Sequence, residues 1–315
     1  MRFLSVIMVL VITLLGTSCT CQQKTKVRIG INPWPGYELL WLAHEKGLYK
    51  AHGIEEEMVE YASLVDAQTA MGRGHLDILC STVIEVLLLA ATSGSETPPA
   101  KVILVPDFSN GADVIISRNG MKGMDLRGKK IALEQGSLGE FMLKRFLDKN
   151  NMTKAEITPV GMDQSKVERS MISGVVDAAI TYPPISINLA KHPDMKIIFT
   201  SADIPGEVID SISASQKILA ADPALPKKIR AVWASALQYY KDHPEESIAI
   251  MSRHERTTPE EFKDALTGMT LVSADDQNQY FGADGKLVTI LESVQTALIN
   301  GGTITKPVEV KSLIP

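Results

Sequence analysis

Two turns in the sequence carry side chains that could bind a small molecule. Each turn follows a predicted strand, one over 26–31 and the other over 130–134, and each leads into a helix. The helix N-termini would direct unpaired N–H groups and a positive dipole end at an anion or another hydrogen-bond acceptor. Aromatic rings would supply apolar contact area, unless they pack only within their own domain. The candidate residues are Trp34, Gly36 and Tyr37 in the first turn and Gly136, Ser137 and Phe141 in the second.

Polar residues at other predicted strand ends are further binding candidates. Ser81 and Thr82 follow a strand predicted over 76–80 and would face a cleft at the carboxyl edge of a sheet, although they could simply cap the next helix. Asn110 precedes a glycine, so it could belong to a turn or a hinge. The remaining candidates are Ser109, Asp113, Tyr182 and Asp210.

Four carboxylates leave the charge of the ligand open. Asp107, Asp113, Glu134 and Asp210 lie at or beside these candidate positions. If two of them face the same cleft, they favour a cationic or amine-bearing solute, because an anion would be repelled. The helix N-termini favour a ligand of the opposite charge, so the sequence supports both alternatives.

Residues for catalysis or metal binding form no known pattern. The six histidines are scattered, and the three cysteines fit neither a disulfide framework nor the spacing of metal ligands. Neither a Gly-x-Ser-x-Gly elbow nor a phosphate-binding P-loop occurs. We therefore expect no enzymatic activity, no cofactor and no metal. Cys80 is predicted to be a small buried hydrophobic residue.

The composition excludes some classes of partner. Of the 315 residues, 45% are hydrophobic and 22% are charged, which is ordinary for a globular protein with two domains. The formal net charge is −5. A mildly acidic surface argues against nucleic acid as a partner.

The N-terminus has the features of an export signal. Residues 1–18 combine a basic start, an apolar run and small residues before Cys19, which predicts a signal peptide. The Leu-Gly-Thr-Ser-Cys sequence that ends at Cys19 resembles a bacterial lipoprotein cleavage box, except that Gly16 replaces the usual aliphatic residue. Cys19 would then carry a lipid and 19–25 would tether the protein to a membrane. The alternative is plain cleavage that releases a soluble protein.

A short phrase, Met-x-x-Gly-x-x-Asp, occurs twice, over 71–77 and over 171–177. Each copy predicts the end of a helix, a left-handed glycine and an aspartate that opens a strand. Strands and helices alternate through most of the chain, which indicates an α/β fold. We predict a discontinuous lobe I (26–106 and 210–315), an inserted lobe II (107–209), two connecting segments that act as a hinge, and a cleft between the lobes.

These motifs together resemble the substrate-binding proteins of ABC importers that serve nitrate, sulfonates, taurine and thiamine precursors. The resemblance covers essentially the whole mature chain. It depends on segments 30–37 (Gly-Ile-Asn-Pro-Trp-Pro-Gly-Tyr), 43–49 (Ala-His-Glu-Lys-Gly-Leu-Tyr), 107–113 (Asp-Phe-Ser-Asn-Gly-Ala-Asp), 125–129 (Asp-Leu-Arg-Gly-Lys), 134–137 (Glu-Gln-Gly-Ser) and the repeated phrase.

The resemblance implies a two-lobe type II periplasmic-binding-protein fold that closes on a small solute and presents it to a permease and its ATPase. It also implies an exported, monomeric protein. The aromatic-Glu-Pro phrase that is common in the family reads Tyr182-Pro183 here, so one expected carboxylate is missing and the ligand differs accordingly. Two alternatives use the same fold: an exported sensor partnered with a membrane receptor, and an enzyme like those that make the thiamine pyrimidine.

Lipid attachment is a direct test of the cleavage box. Radiolabelled palmitate should be incorporated into the protein expressed in a bacterium, and a Cys19→Ser variant should remain unlabelled, because Cys19 supplies the thiol. Labelling is measured by autoradiography of the purified chain. A wild-type chain that carries no label would show plain cleavage instead.

Overall fold

The computed structural model describes residues 25–93, 99–282 and 285–315. The predicted signal peptide and Cys19 lie outside these residues, so both stay predictions. Within the described ranges, no helix combines the length and the apolar character needed to cross a membrane.

Twelve β-strands are formed by the described residues, and most of them match the predicted alternation with helices. The third strand begins two residues later than predicted, because 76–77 still belong to the turn that enters the sheet. The strands are Thr25–Ile31 (β1), Ile54–Glu60 (β2), Ile78–Thr82 (β3), Ala100–Leu104 (β4), Asp107–Ser109 (β5), Val114–Arg118 (β6), Lys130–Leu133 (β7), Thr158–Gly161 (β8), Ala178–Thr181 (β9), Met195–Thr200 (β10), Asp210–Ser215 (β11) and Met269–Leu271 (β12).

Helices fill most of the connections, and the C-terminal third is mainly helical. Three of the late helices have proline in the first turn, where its missing N–H leaves no helix bond unmade. The helices are Glu38–Glu45 (α1), Leu48–Ala51 (α2), Leu64–Gly72 (α3), Val83–Thr92 (α4), Leu138–Lys149 (α5), Gln164–Ile172 (α6), Ile185–Ala190 (α7), Gln216–Ala221 (α8), Leu225–Asp242 (α9), Pro244–His254 (α10), Pro259–Thr267 (α11) and Lys286–Asn300 (α12).

Two mixed five-stranded sheets organise the molecule. The first has the strand order β2-β1-β3-β11-β4 and the second has the order β10-β6-β9-β7-β8. We call the part built on the first sheet the first lobe and the part built on the second sheet the second lobe. Strand β11 returns from the second lobe and inserts antiparallel between β3 and β4, so the first lobe is discontinuous in sequence. The exact lobe boundaries at 107 and 209 stay a prediction.

The two segments that connect the lobes lie side by side. Phe108 and Ile209 form an isolated antiparallel bridge, and the N–H of Ser109 donates to the carbonyl of Val208 at 3.1 Å. The hydroxyls of Ser109 and Ser201 are 2.8 Å apart. Strand β12 pairs with β5 and widens this junction into a small sheet. Both connections are therefore held in one place, as a hinge of two strands requires.

The repeated phrase performs the same task in both sheets. Gly74 and Gly174 have φ of 74° and 73°, the left-handed conformation that glycine adopts without strain. Asp77 Oδ2 then accepts the N–H of Arg28 at 3.0 Å, and Asp177 Oδ2 accepts the N–H of Lys130 at 2.9 Å. Each aspartate thus joins the start of its strand to the neighbouring parallel strand, which is why the phrase recurs.

Replacing Asp77 tests this link between neighbouring strands. Asp77 also accepts two hydrogen bonds from the Arg28 guanidinium, at 2.9 and 3.0 Å. Asp77→Ala should lower the free energy of unfolding by about 1–3 kcal/mol, because a half-buried guanidinium and a backbone N–H lose their acceptor. Urea denaturation measures the change, with Asp163→Ala as the control, since the Asp163 carboxylate is exposed and pairs with Lys166 at the surface. Equal stability of the two variants would contradict the assigned role.

Candidate functional site

A small buried cavity lies between the two lobes beside the connecting segments. Its volume is about 10 Å³, so about one water molecule fits as the lobes stand. One apolar cluster extends across both lobes, which shows that the seam is closed and packed. A larger guest therefore requires the lobes to move apart. The lining residues are Asn32, Trp34, Tyr37, Leu64, Thr82, Asp113, Leu138, Tyr182 and Asp210.

Three aromatic rings form one wall of the cavity. The Trp34 ring centroid is 6.5 Å from that of Tyr37 and 6.0 Å from that of Tyr182, which meets it edge-on. Trp34 Nε1 donates to Asp107 Oδ1 at 3.3 Å. Gly36 permits this contact, because a Cβ there would lie 2.1 Å from Asp107 Oδ2. The Asn-Pro-Trp-Pro-Gly-Tyr turn thus positions both an aromatic wall and a buried carboxyl group.

Asp107 and Asp210 form a carboxyl pair at the connecting segments. Asp107 opens β5 on the first crossing and Asp210 opens β11 on the second, so the paired crossings bring them together. The hydroxyl of Tyr37 donates to Asp210 Oδ1. Burial raises the pKa of both aspartates, and the charge of Asp107 raises the pKa of Asp210 further. Both groups therefore keep their protons to a higher pH than an exposed aspartate does.

Several buried polar atoms in the cavity wall lack a partner among the described residues. They are Asp113 Oδ2, Asp210 Oδ2, Asn32 Oδ1 and the hydroxyl of Tyr182. All four residues are at least nine-tenths buried. Burial raises the pKa of Asp113 to about 7. Because buried polar atoms normally have hydrogen-bond partners, unpartnered atoms around one cavity indicate groups that await a ligand or water.

Two glutamates reach across the seam in opposite directions. Glu85 on α4 of the first lobe accepts the N–H of Leu138, at the start of α5, at 2.8 Å. Glu134 of the second lobe accepts the N–H of Val65, in the first turn of α3, at 2.9 Å. A carboxylate at a helix N-terminus is favourable because it meets unpaired N–H groups and the positive dipole end. Each lobe thus supplies the N-terminal partner for a helix of the other.

The helix N-termini that the sequence assigns to an anionic ligand have protein partners instead. The α5 N-terminus after Gly136 receives Glu85, and Ser137 caps it through a bond from the N–H of Gly139. At the first turn, the N–H of Tyr37 bonds to the carbonyl of Trp34. The closed structure therefore gives no support to an anion site at these positions.

The predicted ligand-binding residues divide into two groups. Six of them line the cavity: Trp34, Tyr37, Thr82, Asp113, Tyr182 and Asp210. The other seven lie outside its lining. Gly36 packs against Asp107, Ser81 is buried within β3, and Ser109 joins the two connecting segments. Asn110 and Gly136 are exposed, Ser137 caps α5, and Phe141 is in the core. Their roles as ligand contacts stay a prediction.

Sequence reasoning missed three lining residues and one cross-lobe partner. Asn32, Leu64 and Leu138 line the cavity, and Glu85 lies beside it. A signal for Glu85 was present in the sequence, because it is the only charged residue in the apolar segment that forms α4. A carboxylate in such a helix needs a hydrogen-bonding partner. Here the partners are Leu138 and the N–H and hydroxyl of Thr82.

Comparisons with known proteins agree with this architecture. The family model described as NMT1/THI5 like matches residues 34–247. A candidate binding protein of Brucella abortus is 26% identical over 300 residues, which cover 93% of this chain and 91% of the relative.

Solved structures confirm the predicted two-lobe fold of type II periplasmic binding proteins. The alkanesulfonate-binding protein SsuA from Xanthomonas axonopodis pv. citri, bound to MOPS, superposes with a TM-score of 0.76 at 17% identity, covering 93% of this chain and 99% of that one. The desulfurization enzyme DSZB superposes with a TM-score of 0.66 at 14% identity, covering 92% and 96%. The fold therefore occurs in both binding proteins and an enzyme.

The buried carboxyls predict an unusual dependence of stability on pH. Burial raises the pKa of Asp113 from 3.8 to about 7, so the folded protein keeps a proton that the unfolded chain releases. The free energy of unfolding should consequently fall as the pH rises between these two values. Asp113→Asn should flatten the fall. Urea denaturation at a series of pH values measures it, with the exposed Asp264→Asn as control. Parallel curves for Asp113→Asn and the wild type would contradict the prediction.

Proposed function

Because the chain belongs to the NMT1/THI5-like family, we propose that it is an exported solute-binding protein. It captures a small molecule between its lobes and delivers it to the permease and ATPase subunits of an ABC importer. The observation that carries this proposal is the buried cavity, into which both lobes and one connecting segment direct polar atoms that lack partners. Such convergence is typical of a binding site that closes around its ligand.

Opening and closing of the lobes is part of the proposed function. The closed cavity holds about one water molecule, so solute must enter when the lobes are apart. The two paired connections provide the hinge, and the contacts of Glu85 and Glu134 across the seam favour the closed form. A solute that bridges the lobes adds to these contacts, and the closed complex is the form that a permease can distinguish from the free protein.

We propose that the protein has no catalytic activity. Cys80 is the cysteine among the described residues, and it is fully buried in β3, where burial raises the pKa of its thiol and keeps it protonated. A protonated, inaccessible thiol is a poor nucleophile. Turnover of a bound compound would favour the enzyme alternative. DSZB is an example of an enzyme with this fold.

The proposed location follows from the N-terminal sequence. The signal peptide over 1–18 exports the chain, and a lipid on Cys19 anchors it to a bacterial membrane while 19–25 serve as a tether. An anchored monomer remains close to its permease, which raises the local concentration of the loaded protein.

Ligand binding tests the proposed function. In a thermal-shift screen of sulfonates, nitrate, pyrimidines, amines and amino acids, a ligand at ~100 times its Kd should stabilise the protein by about 2.7 kcal/mol. Trp34→Phe should weaken binding of that ligand, because the smaller ring lacks the indole N–H that holds Asp107. Trp41→Phe is the control, since Trp41 stacks on His254 outside the cavity lining. Equal affinities of the wild type and Trp34→Phe would remove Trp34 from the site.

A further inference from the structure

We propose that the cavity accepts a positively charged group that carries N–H donors, such as a primary ammonium or a guanidinium. This inference rests on the proposed solute-binding function and specifies the chemical class of the solute. It depends on the balance of donors and acceptors around the cavity, on the absence of positive charge in its lining, and on the aromatic wall.

The cavity presents more hydrogen-bond acceptors than donors. Asp113 Oδ2, Asp210 Oδ2 and Asn32 Oδ1 have no donor among the described residues, and Asp107 Oδ2 behind them also has none. Asn32 is 3% exposed, so an orphaned amide oxygen adds an observation that is independent of the acidic groups. The Tyr182 hydroxyl, also unpartnered, can accept a further bond. A guest that carries several N–H groups would give these oxygens partners once the carboxyls release their protons.

The charge of the lining selects a cation. None of the described residues that line the cavity is Lys, Arg or His, whereas Asp113 and Asp210 belong to it. Glu85 and Glu134 add negative charge near Tyr182, and both already occupy helix N-termini that could otherwise attract an anion. An anionic guest would thus be buried without a partner of opposite charge, which is unfavourable.

The aromatic wall reinforces this selection. Trp34, Tyr37 and Tyr182 surround the same space, and the negative face of an aromatic ring attracts a cation within about 6 Å. Carboxyl oxygens would bind the N–H groups while the rings contact the alkyl part of the solute. A quaternary ammonium has no N–H, so it would leave the acceptors unpaired.

Matched small probes separate charge from hydrogen bonding. Isothermal titration calorimetry on the exported full chain compares methylguanidinium with methylurea, and n-butylammonium with butan-1-ol, at millimolar concentrations. Tetramethylammonium tests a cation without N–H groups, and ethanesulfonate tests an anion. We expect each N–H cation to bind at least ~10-fold more tightly than its neutral counterpart, and more tightly than tetramethylammonium. Equal affinities within a pair would overturn the proposal.

Variants assign the effect to the cavity. Asp113→Asn should reduce methylguanidinium affinity at least ~10-fold and methylurea affinity much less, because the variant loses the negative charge and keeps one acceptor oxygen. The variant removes a buried carboxyl whose pKa is raised by burial, so it should fold at least as well as the wild type, which its melting curve checks. Asp264→Asn, exposed on α11, changes the net charge equally and should have no effect. An unchanged affinity in Asp113→Asn would overturn the assignment.

The outcomes distinguish this inference from the proposed function. If ethanesulfonate binds more tightly than every cation, the proposal of a cationic ligand is wrong. The protein would then still be a solute-binding protein, but one that prefers anions. If none of these probes binds, the proposal of a cationic ligand is also wrong. Binding of another compound in the thermal-shift panel would then still support the solute-binding function. If no compound binds in either experiment, both proposals are wrong.

Discussion

The closed arrangement of the two lobes depends on carboxylates that cross the seam. Glu85 meets the N-terminus of α5 in the second lobe, and Glu134 meets the N-terminus of α3 in the first. Burial raises the pKa of both glutamates, since water no longer solvates their charge. The helix N–H groups offset that loss, together with the N–H and hydroxyl of Thr82 in the case of Glu85. The seam is therefore stabilised by contacts that exist in the closed form and that water replaces when the lobes separate.

A second group of carboxyls lies at the hinge and makes the cavity wall acidic. Burial raises the pKa of Asp107 and Asp210, and Asp113 lies in the same cavity wall as Asp210 with an oxygen that has no described donor. Retaining such groups costs stability, because a buried acid without a partner is expensive. They lie where the two crossings meet, so under the proposed function a ligand in the cavity would contact the hinge directly. Binding and closure would then act on the same few residues.

Much of the architecture was predictable from the sequence because local patterns determine it. The phrase that contains Asp77 and Asp177 predicted two similar halves, and each aspartate joins neighbouring strands in its own sheet. The predicted helix that follows the second turn is α5, because a cap and an apolar stripe are local features. The sequence-based list of candidate residues omitted Glu85, which is the single charged residue of the apolar helix α4.

The sequence by itself determined the alternation of strands and helices, the two-lobe plan and most of the aromatic and acidic residues near the cleft, because these follow from local periodicity, capping and turn chemistry. Only the tertiary structure decided which groups meet. Glu85 and Leu138 are 53 residues apart, and Tyr37 and Asp210 are 173 residues apart. The Glu85 contact depends on how the two sheets are placed, and the Tyr37 contact depends on the return of β11 into the first sheet. No local pattern encodes either arrangement. For the same reason, the sequence left the charge of the ligand open, whereas the folded chain brings acidic groups to the cavity and already provides carboxylates for the helix ends.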